Sequence, residues 1–323
     1  MMEITQFAPV LIPTLNRYEH FLRCVESLSK CTHADKTDLY IALDYPANDS
    51  HWEGYNKIKD YLNEISGFKS VNIIIRDKNF GATQNFTDAR EQVFQKYDRI
   101  ILSEDDNEFS PNFLDYINKG LDKFENDENV LAVCGYQFPL LKSRIVANYN
   151  NYYYYRSFSA WGVGIWKSKW RVFQFSPVIL EKSLKNWKNA LNLYKRNPGS
   201  LLTILNFIKN KKDLYGDMAI GFYMSLNTQC HCIFPVISKV RNYGHDGSGI
   251  HCGVITNDFF ISQENDTKTE FEYSFFDTEF DKIIKKEVFK YFDIRNRRKI
   301  LIFYKYLIFL IKHKLLRIFY EKR

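Results

Sequence analysis

Short apolar runs recur through the first 135 residues, separated by stretches with helical spacing. Residues 8–14, 39–43, 71–75, 99–104 and 130–134 each read as a strand: continuous, apolar and closed by polar residues. Between the first two, Phe21, Leu22, Val25 and Leu28 fall three or four apart and mark one face of a helix. Residues 50–65, 82–97 and 110–126 are expected to be helical. Ser110-Pro111 reads as an N-cap followed by proline at the first helical position. Strand–helix alternation of this kind predicts an α/β fold, a mostly parallel sheet with helices on both faces.

After Gly135 the pattern changes. The tyrosine run 152–155 reads as an edge strand. Residues 159–166 mix tryptophan with glycine, as a packed core corner or as an aromatic plane that a ligand can approach. Residues 183–194 and 201–208 read as helices, and Asp217 falls in the first turn of another that begins near Leu214. Residues 242–251 form a glycine-rich loop with Ser248, His245 and His251. The tail is amphipathic: Arg298, Lys305 and Lys312 share one helical face, and Ile302, Phe309 and Leu316 another.

Charge sharpens this division. The 323 residues carry +7, but ten Lys or Arg and a single Glu place +9 on residues 295–323, leaving −2 for the rest. A near-neutral main body argues against nucleic acid as a partner. The basic, aromatic tail suits the anionic surface of a membrane, or packs on the body or on a second subunit. No basic-then-apolar leader opens the chain, and no uncharged run reaches the ~20 residues of a membrane span. Six cysteines in a chain of this length read as reduced thiols. The cluster of Cys230, His231, Cys232, His245, His251 and Cys252 lacks zinc-site spacing. A cytoplasmic protein, peripheral on the inner face of a membrane, is the expectation. Aromatics at 17% suit sugar-stacking surfaces, and equally an A+T-rich coding sequence.

The chemistry concentrates at Glu104-Asp105-Asp106, at the carboxyl end of the fourth strand. A solvated acidic turn is the plain alternative. Three adjacent carboxylates drawn into a cleft repel one another, and a hard divalent cation that also binds phosphate relieves the repulsion. The corresponding ends of the other strands carry Thr14, Asn16 and Arg17, then Asp44, then Arg76 and Asn79 with Gly81. Parallel strands bring these groups to one edge, where open α/β sheets bind ligands.

With these residues the chain resembles nucleotide-sugar glycosyltransferases of the GT-A fold, a Rossmann-like architecture. It is most similar to family-2-type inverting enzymes and the N-acetylglucosaminyltransferase I group, over about residues 8–252. The segment 9–17 looks like the family's first strand and nucleotide loop. Asp44 falls near the expected base and ribose position, and Asn79, Gly81 and Asn85 resemble the region beside the donor. Glu104-Asp105-Asp106 matches the Asp-x-Asp metal motif. The resemblance implies Asp106 as the direct ligand of Mn²⁺ or Mg²⁺, with Asp105 and His251 as further candidates, and Glu104 and Asp105 near ribose, sugar or metal-bound water. Trp161-Gly162 looks like the glycine-flanked aromatic near donor or acceptor, and Ser248 lies in the diphosphate-side loop. Asp217 falls where inverting enzymes place the base. A Gln-x-x-Arg-Trp motif, frequent in family 2, is missing, which argues against a processive synthase.

The resemblance implies a GT-A domain over 1–258, with a nucleotide half (1–135) and an acceptor half (136–258). A helical connector (259–294) and the amphipathic tail (295–323) follow. It implies an inverting transferase moving a sugar, read as a UDP-sugar, to a saccharide or lipid-linked saccharide. A sugar-nucleotide nucleotidyltransferase is the nearest alternative, but the loop after the first strand lacks its glycines. A non-catalytic membrane scaffold is the other.

Overall fold

A computed structural model describes residues 3–138, 151–170, 174–249, 265–273, 278–292 and 296–320. The chain divides into two compact units that interleave along the sequence. The first comprises Met1–Tyr154, Ser159–Arg171 and Cys232–Thr278; the second, Tyr155–Phe158, Val172–His231 and Glu279–Arg323.

The first unit is built on an eight-stranded sheet. Its strands are β1 (Val10–Thr14), β2 (Asp38–Leu43), β3 (Ser70–Ile75), β4 (Arg99–Leu102), β6 (Val130–Cys134), β7 (Tyr152–Tyr155), β8 (Val163–Trp166) and β9 (His231–Pro235), in the order β3-β2-β1-β4-β8-β6-β9-β7. The β3-β2-β1-β4 half is parallel, and β8 runs antiparallel to both β4 and β6. Val10, Leu11, Ile12, Ile100 and Ile101 are all fully buried. Successive strand residues face opposite sides, so both faces of the central sheet are covered, as unbroken apolar runs require. At the β3 edge the cover thins, and Ile73 and Ile75 are exposed. Tyr152–Tyr155 is the opposite edge strand, yet Tyr152, Tyr153 and Tyr155 are all buried rather than alternating with solvent.

Helices α1 (Tyr18–Ser29), α2 (Trp52–Tyr61), α3 (Ala82–Phe94) and α4 (Phe113–Lys123) follow β1, β2, β3 and β4. Ser110-Pro111 does not start α4. Its cap position is Asn112, and Asn107–Phe109 instead forms a short strand, β5, antiparallel to β10 (Val240–Asn242). Ser110 joins this ribbon: its backbone N–H donates to Lys239 O (2.9 Å) and its hydroxyl to Ser238 O (3.2 Å). A hydroxyl used across the ribbon is not available to cap the helix.

The second unit is helical: α5 (Pro177–Leu184), α6 (Trp187–Arg196), α7 (Pro198–Lys209), α8 (Gly216–Leu226), α9 (Thr278–Phe292) and α10 (Asn296–Tyr320). Ser176 and Asn197 cap α5 and α7, each followed by proline at the first turn. Asn186 caps α6, so the helix expected over 183–194 is two helices. Ile302, Tyr306 and Phe309 of α10 are buried in one core with Leu180, Leu193, Ile204 and Phe222. The tail stripe thus packs on its own unit, and Ile302 and Phe309 are not an outward face. Leu316 and Arg298 lie outside the described side chains.

Gly164 lies in the middle of β8, opposite Ile101 and Val133. A Cβ there would sit 2.6 Å from Ile117 Cγ2 and 3.2 Å from Leu121, so α4 packs directly on the backbone. Gly164→Ala is expected to cost about 1–3 kcal/mol by overpacking. Urea unfolding measures it, and an unchanged midpoint contradicts this packing.

Candidate functional site

The carboxyl ends of β1 and β4 adjoin in the parallel sheet, and the loops that leave them share one cluster of charge. Asp105 and Asp106 are each 5% exposed. The Thr14 hydroxyl, at the end of β1, donates to Asp105 Oδ2 (2.9 Å). The Arg17 guanidinium, at the start of α1, bridges the pair: it donates to Asp105 Oδ1, and its second nitrogen lies 2.9 Å from Asp106 Oδ2. Burial pushes the Asp105 carboxyl above its ordinary range, and the Asp106 charge adds to this against the pull of Arg17. The two carboxylates hold the Arg17 proton more tightly than usual, despite burial.

The β5–β10 ribbon positions Asp106 from the other side. Asn242 Nδ2 donates to Asp106 Oδ1 (2.5 Å) and to Asn107 Oδ1 (3.0 Å), and Tyr243 N–H donates to Asp106 O (2.8 Å). Gly244 N–H donates to Asn242 Oδ1 (2.9 Å), which turns the amide toward the carboxylate. A Cβ on Gly244 would overlap the Asp106 carboxylate, so only glycine fits there. Asn242 and Gly244 were not singled out as site residues in the sequence. Asn242 reaches Asp106 across 136 positions through a ribbon only three residues long, with Gly244 just beyond it, and the glycine-rich loop is the sole local sign.

Around this center, Trp161 Nε1 donates to Glu104 Oε2 (3.2 Å), and the indole packs edge-on against Tyr136 and His245. Gly162 has φ +66, and a Cβ would meet Val240 and Phe113 within 2.8 Å, so conformation and space both demand glycine. Ser248 is exposed; its hydroxyl donates to Asp246 Oδ1 (2.6 Å). Asp246 Oδ2 lies 2.8 Å from His20 Nε2, which pins this loop to α1. Hydrogen bonds from Ser248 and His20 hold the Asp246 carboxyl well below its usual range, although burial opposes them.

A second network occupies the ends of β2 and β3. Asp44 Oδ1 accepts from the Tyr45 (2.9 Å) and Phe80 (2.8 Å) amides, and Asn79 Nδ2 donates to Tyr45 O (2.6 Å). Arg76 Nε donates to Asn85 Oδ1 (2.8 Å), and Asn85 Nδ2 donates to Ala42 O (2.9 Å). Gly81 has φ +75 with open space where a Cβ would be, so it serves the turn into α3. These groups brace the loops that line the sheet edge. Asn16 carries the β1–α1 connection, against whose backbone Gly54 of α2 packs without room for a Cβ.

Asp217 lies in the second unit, exposed, in the first turn of α8 after Gly216 at φ +58. His251 and Cys252 lie outside the described residues. Among the described residues, no three or more His, Cys, Asp or Glu side chains converge as a metal-binding group. The five described cysteines are buried and unbridged.

Arg17 is the counter-ion for two buried carboxylates. Arg17→Met is expected to destabilise the metal-free protein by about 3–5 kcal/mol, because the carboxylates are left buried and unpaired. In an Asp105→Asn/Asp106→Asn background the same change should cost far less. Equal losses in both backgrounds, by urea unfolding, contradict the pairing.

Comparison with known proteins places the chain in a family. No curated protein sequence matches the chain. Among solved structures, a mannosyltransferase from Pyrobaculum calidifontis in complex with GDP-Man and Mn²⁺ is 11% identical over 50% of this chain and 45% of its own, at TM-score 0.35. S. aureus TarS is 13% identical over 49% and 28%, at 0.32. GalNAc-T7 with UDP, GalNAc and Mn²⁺ is 12% identical over 76% and 46%, at 0.42. The match thus spans less than half the length of each of these proteins. The GNT-I family model matches residues 1–180, which hold the parallel half of the sheet, the acidic loop and Trp161. With more than half of its length matched, the chain belongs to the GNT-I family.

Proposed function

We propose that the protein transfers a sugar from a nucleoside-diphosphate sugar, read as a UDP-sugar, to a hydroxyl of a saccharide or lipid-linked saccharide, with inversion at the anomeric carbon. The observation that carries this reading is the buried Asp105–Asp106 pair closed by Arg17 at the carboxyl edge of β4. A structural ion pair does not require two adjacent acids at a ligand-binding edge. Carboxylates at such an edge suit a divalent cation that arrives with a diphosphate.

The donor set fits a divalent cation that arrives with its phosphates. Asp106 offers one oxygen steadied by Asn242 and one that now faces Arg17. Hard cations of the Mg²⁺ type are commonly held by one or two carboxylates, with phosphates and water completing the shell. Bound there, Mn²⁺ or Mg²⁺ supplies Lewis-acid stabilisation of the charge that develops on the departing diphosphate. The protein's part is to hold Asp106 in one orientation through Asn242 and Gly244. Arg17, released from the carboxylates, offers its guanidinium to a phosphate. Thr14 keeps Asp105 in place, and Glu104 and Trp161 flank the sugar side. Asp44, Arg76, Asn79, Gly81 and Asn85 form the wall on the nucleotide side. Ser248 belongs to the loop that faces the diphosphate, and His251 is a further metal candidate. Asp217 is the proposed base, taking the proton of the acceptor hydroxyl as it attacks. A lipid-linked acceptor would bring the enzyme to the inner face of a membrane.

Thermal unfolding with UDP, GDP and their sugars, with and without Mn²⁺, tests the donor and metal together. Stabilisation should need nucleotide and metal jointly and should vanish in Asp106→Asn. Asp217→Asn should keep the donor-linked shift while transfer falls by about 10²–10⁴. Near-normal turnover in Asp217→Asn overturns the base assignment, and metal-independent donor binding overturns the metal site.

A further inference from the structure

The helical unit concentrates the positive charge of the chain. It holds 23 Lys or Arg against 8 Asp or Glu, +15 in all, which leaves −8 on the sheet unit. The excess therefore extends well beyond the last 29 residues, where the sequence alone placed it.

Helix α10 has two apolar faces. Ile302, Tyr306 and Phe309 are buried in the unit's core, and the Tyr306 hydroxyl donates to Leu184 O (2.9 Å). Ile300, Phe303, Tyr304, Leu307 and Ile311 follow a separate three-and-four spacing, about half a turn away. They are 72, 68, 58, 43 and 50% exposed. A solvated helix face is ordinarily polar, and the described Lys305 and Lys312 fall to one side of this stripe by helical spacing. Lys305 and Lys312 are exposed beside the outward stripe, and residues 296–320 contain no Asp or Glu. Among the described residues no helix is long and apolar enough to cross a membrane.

We infer that the outward stripe of α10, Ile300, Phe303, Tyr304, Leu307 and Ile311, docks the helical unit in plane on an anionic lipid surface, with Lys305 and Lys312 at the headgroups. Aromatic and aliphatic side chains flanked by lysines on a helix too polar to span are the makeup of an interfacial helix. The unit's charge adds attraction to anionic lipid that falls off within a Debye length. Charge also decides against a second copy as the occupant. Two such faces brought together would oppose lysines with no acidic partner on either helix. The inference deepens the membrane part of the reading above and depends on no step of sugar transfer.

Vesicle co-sedimentation tests it with the full-length protein, on phosphatidylcholine alone and with about 30% phosphatidylglycerol. Binding should require the anionic lipid and weaken as salt rises from roughly 0.1 to 0.5 M. Phe303→Ser/Leu307→Ser/Ile311→Ser should lower the partition coefficient by roughly tenfold or more, with the Mn²⁺- and nucleotide-linked thermal shift unchanged. Should the triple variant fail to fold, Lys305→Gln/Lys312→Gln, confined to exposed positions, should still weaken binding several-fold. Undiminished vesicle binding in the folded variants, or equal binding to neutral vesicles, overturns the inference. So does a dimer, by sedimentation velocity, that the triple substitution converts to monomer without loss of vesicle binding. Loss of the nucleotide-linked shift in the wild type would count against the donor site alone.

Discussion

Two carboxylates buried side by side at the end of a strand are unstable unless something positive stands beside them. In this chain that something is Arg17, delivered from the first turn after β1, and much of the first unit serves to bring it there. The parallel pairing of β1 with β4 puts the two loops in contact. Thr14 fixes one carboxylate, and Asn242, reached through the β5–β10 ribbon, fixes the other. Glycine at 244 allows the ribbon to approach, because any side chain would occupy the place of the Asp106 carboxylate. In the proposed function Arg17 yields its place beside the two acids to a divalent cation.

The residues at the sheet edge are arranged around this charge. Arg17, Asp105, Asp106 and Asn242 form its center. Trp161 and Glu104 make one flank, with Gly162 at a positive φ where backbone must pass close to Phe113 and Val240. Asp44, Asn79, Arg76 and Asn85 spend their hydrogen bonds on the chain and give the opposite wall its shape. The His20–Asp246 contact ties the loop after β10 back to α1. Rigid strands thus carry the site, and short polar bridges set its geometry.

Much of this was legible in the sequence, for a physical reason. Parallel strands buried on both faces must be unbroken apolar runs, so residues 10–12 and 99–102 announced themselves, and the polar residues that end such runs had to converge. Elements held by tertiary contacts were not legible. The three-residue strands at 107–109 and 240–242 exist only because they pair with each other, and their pairing moved the start of α4 from Ser110 to Phe113. The break at Asn186 hid inside a helical pattern. In the tail, helical periodicity identified two faces but not which one the core would take. Ile302 and Phe309 turned inward because Leu180, Leu193 and Phe222 were there to receive them. The outward stripe became visible only by subtraction.

In the proposed reaction Asp106 exchanges Arg17 for a divalent cation when a nucleoside diphosphate binds. The most direct measurement is anomalous diffraction from crystals soaked with Mn²⁺ and UDP. The expected result is a manganese peak at coordination distance from an Asp106 carboxylate oxygen and from the diphosphate, with the Arg17 guanidinium moved onto a phosphate. Manganese and nucleotide bound elsewhere, with Arg17 still bridging Asp105 and Asp106, would contradict it.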